Sequence, residues 1–320
     1  MRWLDRALCS LKGHTWHWPF REGSLMRVKC SGCGAKSSGV VIAFARVVAL
    51  LLVASLAHAK DCSVTSTGLP LPDYHRSFEL DLAMSEAVSS LVPRDRYGNP
   101  SPVGVITIET IGNSNSRTYG GGLVDALTPY LRDDVRAVMN GYSKKTIENW
   151  GDVTSSAWAN ATARLTNQKF GAGSVGIVMA YMTLKEPDRQ GLMAEEHIDT
   201  LLSAIHDMRP NARVVLLADM GYYGYVNKRN ALGYQSNLTV EAAMFAERAR
   251  TQRAVPDGMV VDYFPMSADG LTVNPLNGLT WPCDMIRSDG IHPAEASRVP
   301  VGVNQADRIR LDPVFARVVR

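Results

Sequence analysis

Five short apolar segments recur along the chain from residue 103 onward, each about as long as a β-strand. Each is nearly continuous in Val, Ile and Leu, with little alternation between apolar and polar positions. That pattern is typical of strands covered on both faces, as in a parallel sheet. The predicted strands are 103–111, 135–139, 175–181, 212–218 and 259–264.

Segments with helical character lie between these strands. Pro210 ends one of them just before a strand, and Asn237 or Thr239 is a candidate N-cap for the next. Strands that alternate with helices predict a doubly wound α/β fold, so we expect a three-layer α/β/α sandwich around a five-stranded parallel sheet. The predicted helices are 121–132, 154–168, 191–208 and 238–253.

A different apolar segment lies nearer the N-terminus. Residues 40–57 are apolar apart from Arg46 and Ser55, follow a basic leader, and precede Ala57-His58-Ala59. These features predict a secretory signal cut after Ala59, because the uninterrupted run after Arg46 is short for a membrane span. We expect an exported protein, periplasmic or secreted, with an uncleaved anchor over 40–57 as the alternative. The predicted parts are a leader (1–39), the hydrophobic region of the signal (40–59) and one large domain (60–320).

The cysteines of the leader allow two interpretations. Cys9, His14, Cys30 and Cys33 have the side chains of zinc ligands, and the Cys30-Ser-Gly-Cys33 spacing resembles a zinc-ribbon knuckle. Alternatively, Met26 begins a more conventional signal, in which case residues 1–25 come from a misplaced start or a fused fragment. Neither interpretation bears on the large domain.

Charge and the remaining cysteines narrow the class of protein. The formal net charge is +3, and the first 46 residues hold eight Lys or Arg against Asp5 and Glu22. The rest is close to neutral, so composition gives no case for a nucleic-acid partner, and a membrane is implicated only through the export signal. Cys62 and Cys283 follow the signal, and two cysteines in an exported domain favour one disulfide.

Two motifs near predicted strand ends could carry nucleophilic chemistry. Gly112-Asn113-Ser114 follows the first strand, where a glycine turn can project a serine over the sheet edge at the start of a helix. Asp289-Gly-Ile-His292 follows the last strand, where the carboxylate could orient the imidazole that accepts the serine proton. Each motif by itself is also an ordinary turn sequence.

A third motif, Asn140-Gly141, follows the second strand, and a glycine there would let a backbone N–H approach a substrate carbonyl. Like the other two, it is by itself a plain strand-to-loop turn. The carboxyl ends of parallel strands meet at one edge of the sheet, which is where ligands bind in such folds. The three motifs together therefore predict a site at that edge.

The order and placement of the three motifs resemble the SGNH (GDSL-like) hydrolases, in particular an exported bacterial subgroup. The resemblance covers roughly residues 60–295 and extends beyond the catalytic blocks. The further similar segments are Asp61-Cys62-Ser-Val-Thr-Ser-Thr-Gly68, Leu71-Pro72-Asp73, Arg94-Asp-Arg-Tyr-Gly-Asn-Pro100, Tyr222-Tyr-Gly-Tyr225 and Gly278-Leu-Thr-Trp-Pro-Cys283.

The resemblance implies an esterase with a flavodoxin-like sandwich fold and no metal or organic cofactor in the catalytic domain. It makes Ser114 the nucleophile, His292 the base and Asp289 the residue that orients it. The backbone N–H groups of Ser114 and Gly141 would be the oxyanion donors. The implied substrate is a small-molecule or carbohydrate ester, with an acetyl, short aliphatic or lipid acyl group.

The sequence departs from the family pattern in two places. The family often has an Asn after the third strand as a further oxyanion donor, but residues 180–187 contain none, which leaves Thr183, Lys185 or a two-donor site. Loss of one such donor typically costs on the order of 10²–10³ in turnover. Pro300 and Gly302 fall where the family has its last helix, so we expect that helix to be broken or divergent.

Aromatic residues near the predicted strand ends allow either a substrate platform or plain packing: Trp150, Tyr222, Tyr223, Tyr225 and Trp281.

Two rival functions stay open at this point, and a third class of hydrolase is disfavoured. A non-catalytic glycan-binding protein on the same fold is favoured by the missing Asn. A thiol or metal hydrolase would have to use the cysteine leader, which precedes the predicted signal. An α/β-hydrolase is disfavoured because the sequence contains no Gly-x-Ser-x-Gly elbow.

Overall fold

The computed structural model describes the sheet-bearing part of the chain almost throughout. The described residues are 72–183, 193–219, 222–223, 233–266, 268–269, 273–287 and 292–320, with two short strands at 20–22 and 25–27; the backbone alone is described at 20–22, 25–27, 222–223, 233–239, 269 and 283. The chain divides into two compact units, 1–61 and 62–320. In the first unit, strands β1 (Phe20–Glu22) and β2 (Leu25–Arg27) form an antiparallel pair.

A five-stranded sheet, parallel throughout, forms the centre of the second unit, as the sequence predicts. The strand order is β4-β3-β5-β6-β8. Every residue of β3, β5 and β6 is buried, because helices cover both faces of these strands. The strands are β3 (Ile106–Gly112), β4 (Val135–Gly141), β5 (Val175–Tyr181), β6 (Val214–Ala218) and β8 (Val260–Tyr263), and two short strands, β7 (Tyr222–Tyr223) and β9 (Ala268–Asp269), form a separate parallel pair.

Helices connect and cover the strands. They are α1 (Phe78–Ser89), α2 (Ser114–Leu127), α3 (Ile147–Gly151), α4 (Ser156–Asn167), α5 (Glu195–Met208), α6 (Gly233–Thr251) and α7 (Arg298–Leu311). Single 3₁₀ turns occur at Thr128–Tyr130, Ala172–Ser174, Cys283–Met285, Glu295–Ser297 and Pro313–Phe315.

Neighbouring side chains of β3 show the layering, because successive residues of a strand point to opposite faces. Thr110 lies against Gly120 of α2, whereas Glu109 contacts the Arg209 side chain at the end of α5. Helix α2 therefore covers one face and α5 the other. The three-layer arrangement predicted from the alternation of strands and helices is confirmed.

The first helix after β3 differs from the prediction of 121–132. It spans Ser114–Leu127, and Asn113 caps it by accepting a hydrogen bond from the N–H of Asn115. The run Gly120–Gly122, which weakens a helix in isolation, lies in its interior, where these residues allow close approach of neighbouring elements. A 3₁₀ turn that contains Pro129 follows the helix. Proline disfavours the continuation of an α-helix through its position, which is consistent with the end of α2 at Leu127.

The expectation of a broken last helix is wrong, since α7 is continuous from Arg298 to Leu311. Pro300 occupies the first turn, where its missing N–H would have no intrahelical partner. Gly302 faces the backbone of Gly122 so closely that a Cβ at this position would overlap it. Gly302 therefore permits the close packing of α7 on α2.

Within the described residues, no helix combines the length and apolar character needed to span a bilayer.

Replacement of Gly302 tests the helix–helix contact. We expect Gly302→Ala to lower the free energy of unfolding by about 1–3 kcal/mol, because the new Cβ meets backbone atoms of Gly122 that cannot rotate away. Urea denaturation followed by circular dichroism measures the change. The neighbouring Val303→Ala, at a half-exposed position of the same helix, is the control; equal stability of the two variants would contradict the contact.

A buried polar cluster ties the segment before α1 to β8. Tyr74 donates a hydrogen bond to one carboxylate oxygen of Asp262, and Arg76 Nε lies 3.7 Å from the other. Burial raises the pKa of Asp262 to about 6, although the Arg76 charge opposes the shift. The folded protein therefore binds a proton at Asp262 more tightly than the unfolded chain does.

This raised pKa predicts that the free energy of unfolding falls as the pH rises. The contribution of the protonated Asp262 is fully present below the unfolded pKa, near 4, and is lost as the pH rises through about 6. Asp262→Asn cannot ionise, so its stability relative to the parent should rise by roughly 2 kcal/mol between pH 4 and pH 8. Denaturation curves at several pH values measure the difference in stability between the variant and the parent. Asp257→Asn, at an exposed position, is the control for the loss of a carboxylate as such. A difference that stays constant with pH would refute the raised pKa of Asp262.

Candidate active site

The turn after β3 places Ser114 at the carboxyl edge of the sheet. Gly112 ends the strand at φ 145°, a conformation that L-residues rarely adopt, and a Cβ there would overlap the carbonyl oxygen of Tyr181. Asn113 then caps α2, so Ser114 is the first residue of that helix. The glycine thus serves both the turn and the close approach of β5.

The structure brings Ser114 and His292 into direct contact. Ser114 Oγ lies 3.0 Å from His292 Nε2, although the two residues are 178 positions apart in the sequence. Both residues are partly exposed, so a substrate could reach the pair. A hydroxyl hydrogen-bonded to an imidazole is the arrangement by which a general base activates a serine nucleophile.

Backbone contacts hold His292 in place. Its carbonyl accepts a hydrogen bond from the N–H of Arg287 at 2.8 Å, and the N–H of Ala294 donates to Met285 at 2.8 Å. Ile286 and Pro293 form an isolated antiparallel bridge between the same two segments. His292 therefore lies on a segment that is paired with its neighbour. Asp289 lies outside the described residues, so its orienting role stays a prediction.

Gly141 packs against the first turn of α2. A Cβ at this position would overlap Ser116 Oγ and lie 2.9 Å from the backbone nitrogen of Arg117. Close packing is thus a sufficient reason for glycine here, apart from any role as an oxyanion donor. The Gly141 N–H lies 3.3 Å from Met139 Sδ, and a thioether sulfur is a weak acceptor.

Ser116 was not singled out in the sequence, although the structure gives it a role at this site. Its hydroxyl donates a hydrogen bond to the carbonyl of Asn113 at 2.6 Å, across the turn that carries Ser114. Its side chain also forms the surface on which Gly141 packs. The only signal in the sequence is a serine three residues after the N-cap, which is too common to be diagnostic.

The candidate for a third oxyanion donor is already engaged. Thr183 is buried, and its hydroxyl donates to Glu241 Oε1 at 3.1 Å, so its hydrogen is not directed at a substrate. Lys185 lies outside the described residues.

Two aromatic residues of the suggested platform are core residues instead. Trp150 is fully buried in α3 and packs edge-on against Trp158, with ring centroids 4.9 Å apart. Trp281 is also buried, and its indole N–H donates to the carbonyl of Met266 at 3.2 Å. The packing alternative holds for this pair, whereas the side chains of Tyr222, Tyr223 and Tyr225 are not described.

The cysteine predictions fall largely outside the described part of the chain. Cys62 is not described, and Cys283 is described only as the backbone of a 3₁₀ turn, so their disulfide stays a prediction. The zinc candidates Cys9, His14, Cys30 and Cys33 are likewise outside. Among the residues that are described, no group of three or more His, Cys, Asp or Glu side chains could hold a metal ion.

Several solved structures share features of this fold. A family 3 carbohydrate esterase from Clostridium thermocellum is 14% identical, with a TM-score of 0.40 over 66% of this chain and 98% of its own. A GDSL-like lipase from Bacteroides thetaiotaomicron is 11% identical, with a TM-score of 0.35 over 71% of this chain and 96% of its own. An extracellular lipase from Streptomyces rimosus is 15% identical, with a TM-score of 0.32 over 62% and 98%.

Neither a protein-family model nor a curated protein sequence matches the chain. At the identities and TM-scores given above, the structural similarities assign no activity and no substrate.

The contact between Gly141 and Ser116 generates a prediction for the nucleophile turn. We expect Gly141→Ala to slow the labelling of Ser114 by a fluorophosphonate at least about tenfold, because the new methyl group displaces the first turn of α2. Adding Ser116→Ala removes the nearest overlapping atom and should restore part of the rate. Mass spectrometry of the labelled peptide over time measures it, and a double variant as slow as Gly141→Ala would count against this contact as the cause.

Proposed function

We propose that this protein is an exported serine esterase of the SGNH type, which cleaves a carboxylic ester through an acyl-enzyme. The observation that carries the proposal is the 3.0 Å contact between Ser114 Oγ and His292 Nε2 at the carboxyl edge of a parallel sheet. Ligands of such sheets bind at this edge. The order of the three motifs, which resembles that of the SGNH hydrolases, supports the same function. The proposed mechanism uses no metal or organic cofactor.

In the first half of the proposed reaction, Ser114 Oγ attacks the carbonyl carbon of the ester while His292 Nε2 accepts the hydroxyl proton. This requires the neutral imidazole with its ring proton on Nδ1, the tautomer that Asp289 is proposed to hold. The imidazolium then returns the proton to the departing alkoxide. A water molecule attacks the acyl-enzyme in the same way and releases the acid.

The tetrahedral intermediates need donors for the oxyanion. The N–H of Ser114 is one of the first of helix α2, and such groups have no intrahelical acceptor. The Gly141 N–H is the second proposed donor, since a developing oxyanion is a much stronger acceptor than the Met139 thioether that it now contacts. With the Thr183 hydroxyl engaged elsewhere, we propose a hole of two backbone donors and correspondingly slow turnover.

The proposed substrate is an acetyl, short acyl or lipid ester of a small molecule or a carbohydrate. Export through the predicted signal would place the enzyme in the periplasm or outside the cell, and retention by residues 40–57 is the alternative.

A second candidate function is a non-catalytic glycan-binding protein on the same fold. One observation favours it. Residues 180–187 contain no Asn, and the hydroxyl of Thr183 donates its hydrogen bond to Glu241 and is not directed at a ligand.

Hydrolysis of p-nitrophenyl acetate separates the two candidates. For a serine esterase, Ser114→Ala should lower the rate at least about 10³-fold, because the nucleophile is lost. The matched control is Ser143→Ala, which removes an exposed hydroxyl two residues after Gly141 and should stay within about twofold of the parent. Release of p-nitrophenol, followed by absorbance, gives the rates.

Equal rates for the parent and Ser114→Ala would leave the binding protein as the better candidate. A fluorophosphonate adduct mapped to a serine other than Ser114 would overturn the site while keeping the class of hydrolase.

A further inference from the structure

A fully buried ion pair joins the middle of β3 to the end of α5. Glu109 of β3 and Arg209, which follows the last residue of α5, both have no exposed side-chain surface. Arg209 Nε donates to Glu109 Oε2 at 2.5 Å, and Nη2 donates to Oε1 at 2.9 Å. The pair is bidentate, which is the strongest geometry for an arginine and a carboxylate.

The third guanidinium nitrogen of Arg209, Nη1, also has hydrogen-bond acceptors. Arg209 Nη1 donates to the carbonyl of Met208 at 2.8 Å and to Thr162 Oγ1 at 3.3 Å. The Trp158 ring lies 5.0 Å from the guanidinium carbon. Helices α4 and α5 therefore surround the pair and hold it in one arrangement.

Stability alone does not account for such a pair. Moving two charges out of water costs several kcal/mol each, and apolar side chains of similar volume are often as stable or more so. A role in which the pair fixes the position of neighbouring groups accounts better for the two charges.

Asn140 links the ion pair to the candidate active site. Its side chain is fully buried, and Nδ2 donates to Glu109 Oε1 at 2.6 Å. Its Oδ1 accepts a hydrogen bond from the Tyr142 hydroxyl at 3.3 Å. Asn140 directly precedes Gly141, which packs against the turn that carries Ser114.

We propose that Glu109 and Arg209 are positioning residues for ester cleavage. Their ion pair fixes the side chain of Asn140, and thereby the end of β4 that supports the first turn of α2. The proposal rests on the esterase function proposed above. A misplacement of about 1 Å at reacting groups can cost on the order of 10²-fold in rate, so this support should appear in kcat.

Two double variants separate positioning from bulk stability. Glu109→Leu/Arg209→Met replaces the ion pair with apolar side chains and removes the carboxylate acceptor of Asn140 Nδ2, which keeps only the carbonyl of Ala161 at 3.5 Å. Glu109→Gln/Arg209→Met also removes both charges, but its amide oxygen can still accept the Asn140 hydrogen bond. The two variants therefore differ in the link to Asn140 and agree in the loss of the ion pair.

We expect kcat for p-nitrophenyl acetate to fall about 10- to 100-fold in the leucine variant, with KM changed less than about threefold. The glutamine variant should recover to within about fivefold of the parent. Thermal denaturation of each full-length protein reports stability in parallel. Equal kcat values for the two double variants, or values equal to the parent, would overturn the proposal.

Asn140→Ala provides a second route in case the leucine variant does not fold, because it cuts the link and keeps the ion pair. It should lower kcat at least about tenfold, and an unchanged kcat would also overturn the proposal. Val88→Ala, a buried change in α1, which is not one of the helices around the ion pair, is the control for lost stability and should leave kcat unaltered. A parent as inactive as Ser114→Ala would instead refute the esterase function itself.

Discussion

The parallel pairing of β3 with its two neighbours is the constraint on which the candidate active site depends. In this register Gly112 lies opposite both Gly141 of β4 and Tyr181 of β5. The three strands therefore end at one level, and the chain leaves β3 through a turn that only a residue without a side chain can make. A shift of any one strand along its neighbours would separate the Ser114 turn from the surfaces that support it.

A second set of contacts carries the C-terminal region to the same edge. Helix α7 begins six residues after His292 and packs on α2, the helix that Ser114 begins. Gly122 and Gly302 let the two helices approach at backbone distance, so the fold tolerates an otherwise unfavourable run of three glycines in α2. Packing of these helices and the hydrogen bond between the serine and the histidine are thus parts of one arrangement.

A buried ion pair inside the sheet carries an energetic cost of its own. Glu109 and Arg209 form an ion pair with no exposed side-chain surface, and their burial is compensated by a bidentate contact and by hydrogen bonds to Asn140 and Thr162. Buried charges of this kind are intolerant of the loss of one partner, because the other is left uncompensated. Apolar packing is non-directional, whereas these hydrogen bonds have fixed directions, which is the basis on which we propose that the pair positions the end of β4.

The sequence by itself determined the strands, the parallel sheet and the position of Ser114 at a strand end, because local apolar runs and glycine turns encode these features without reference to distant residues. It also suggested His292 as the partner of Ser114, through motif order. Only the tertiary structure decided that α7 is continuous, that Trp150 and Trp281 are core residues, and that Thr183 donates to Glu241. Each of these depends on what lies opposite a residue in space: the backbone of Gly122 opposite Gly302, a neighbouring aromatic ring, or a carboxylate on a helix distant in the sequence. Contacts between distant segments leave no periodicity in the chain, and for that reason the Glu109–Arg209 pair could not be recognised before the fold was known.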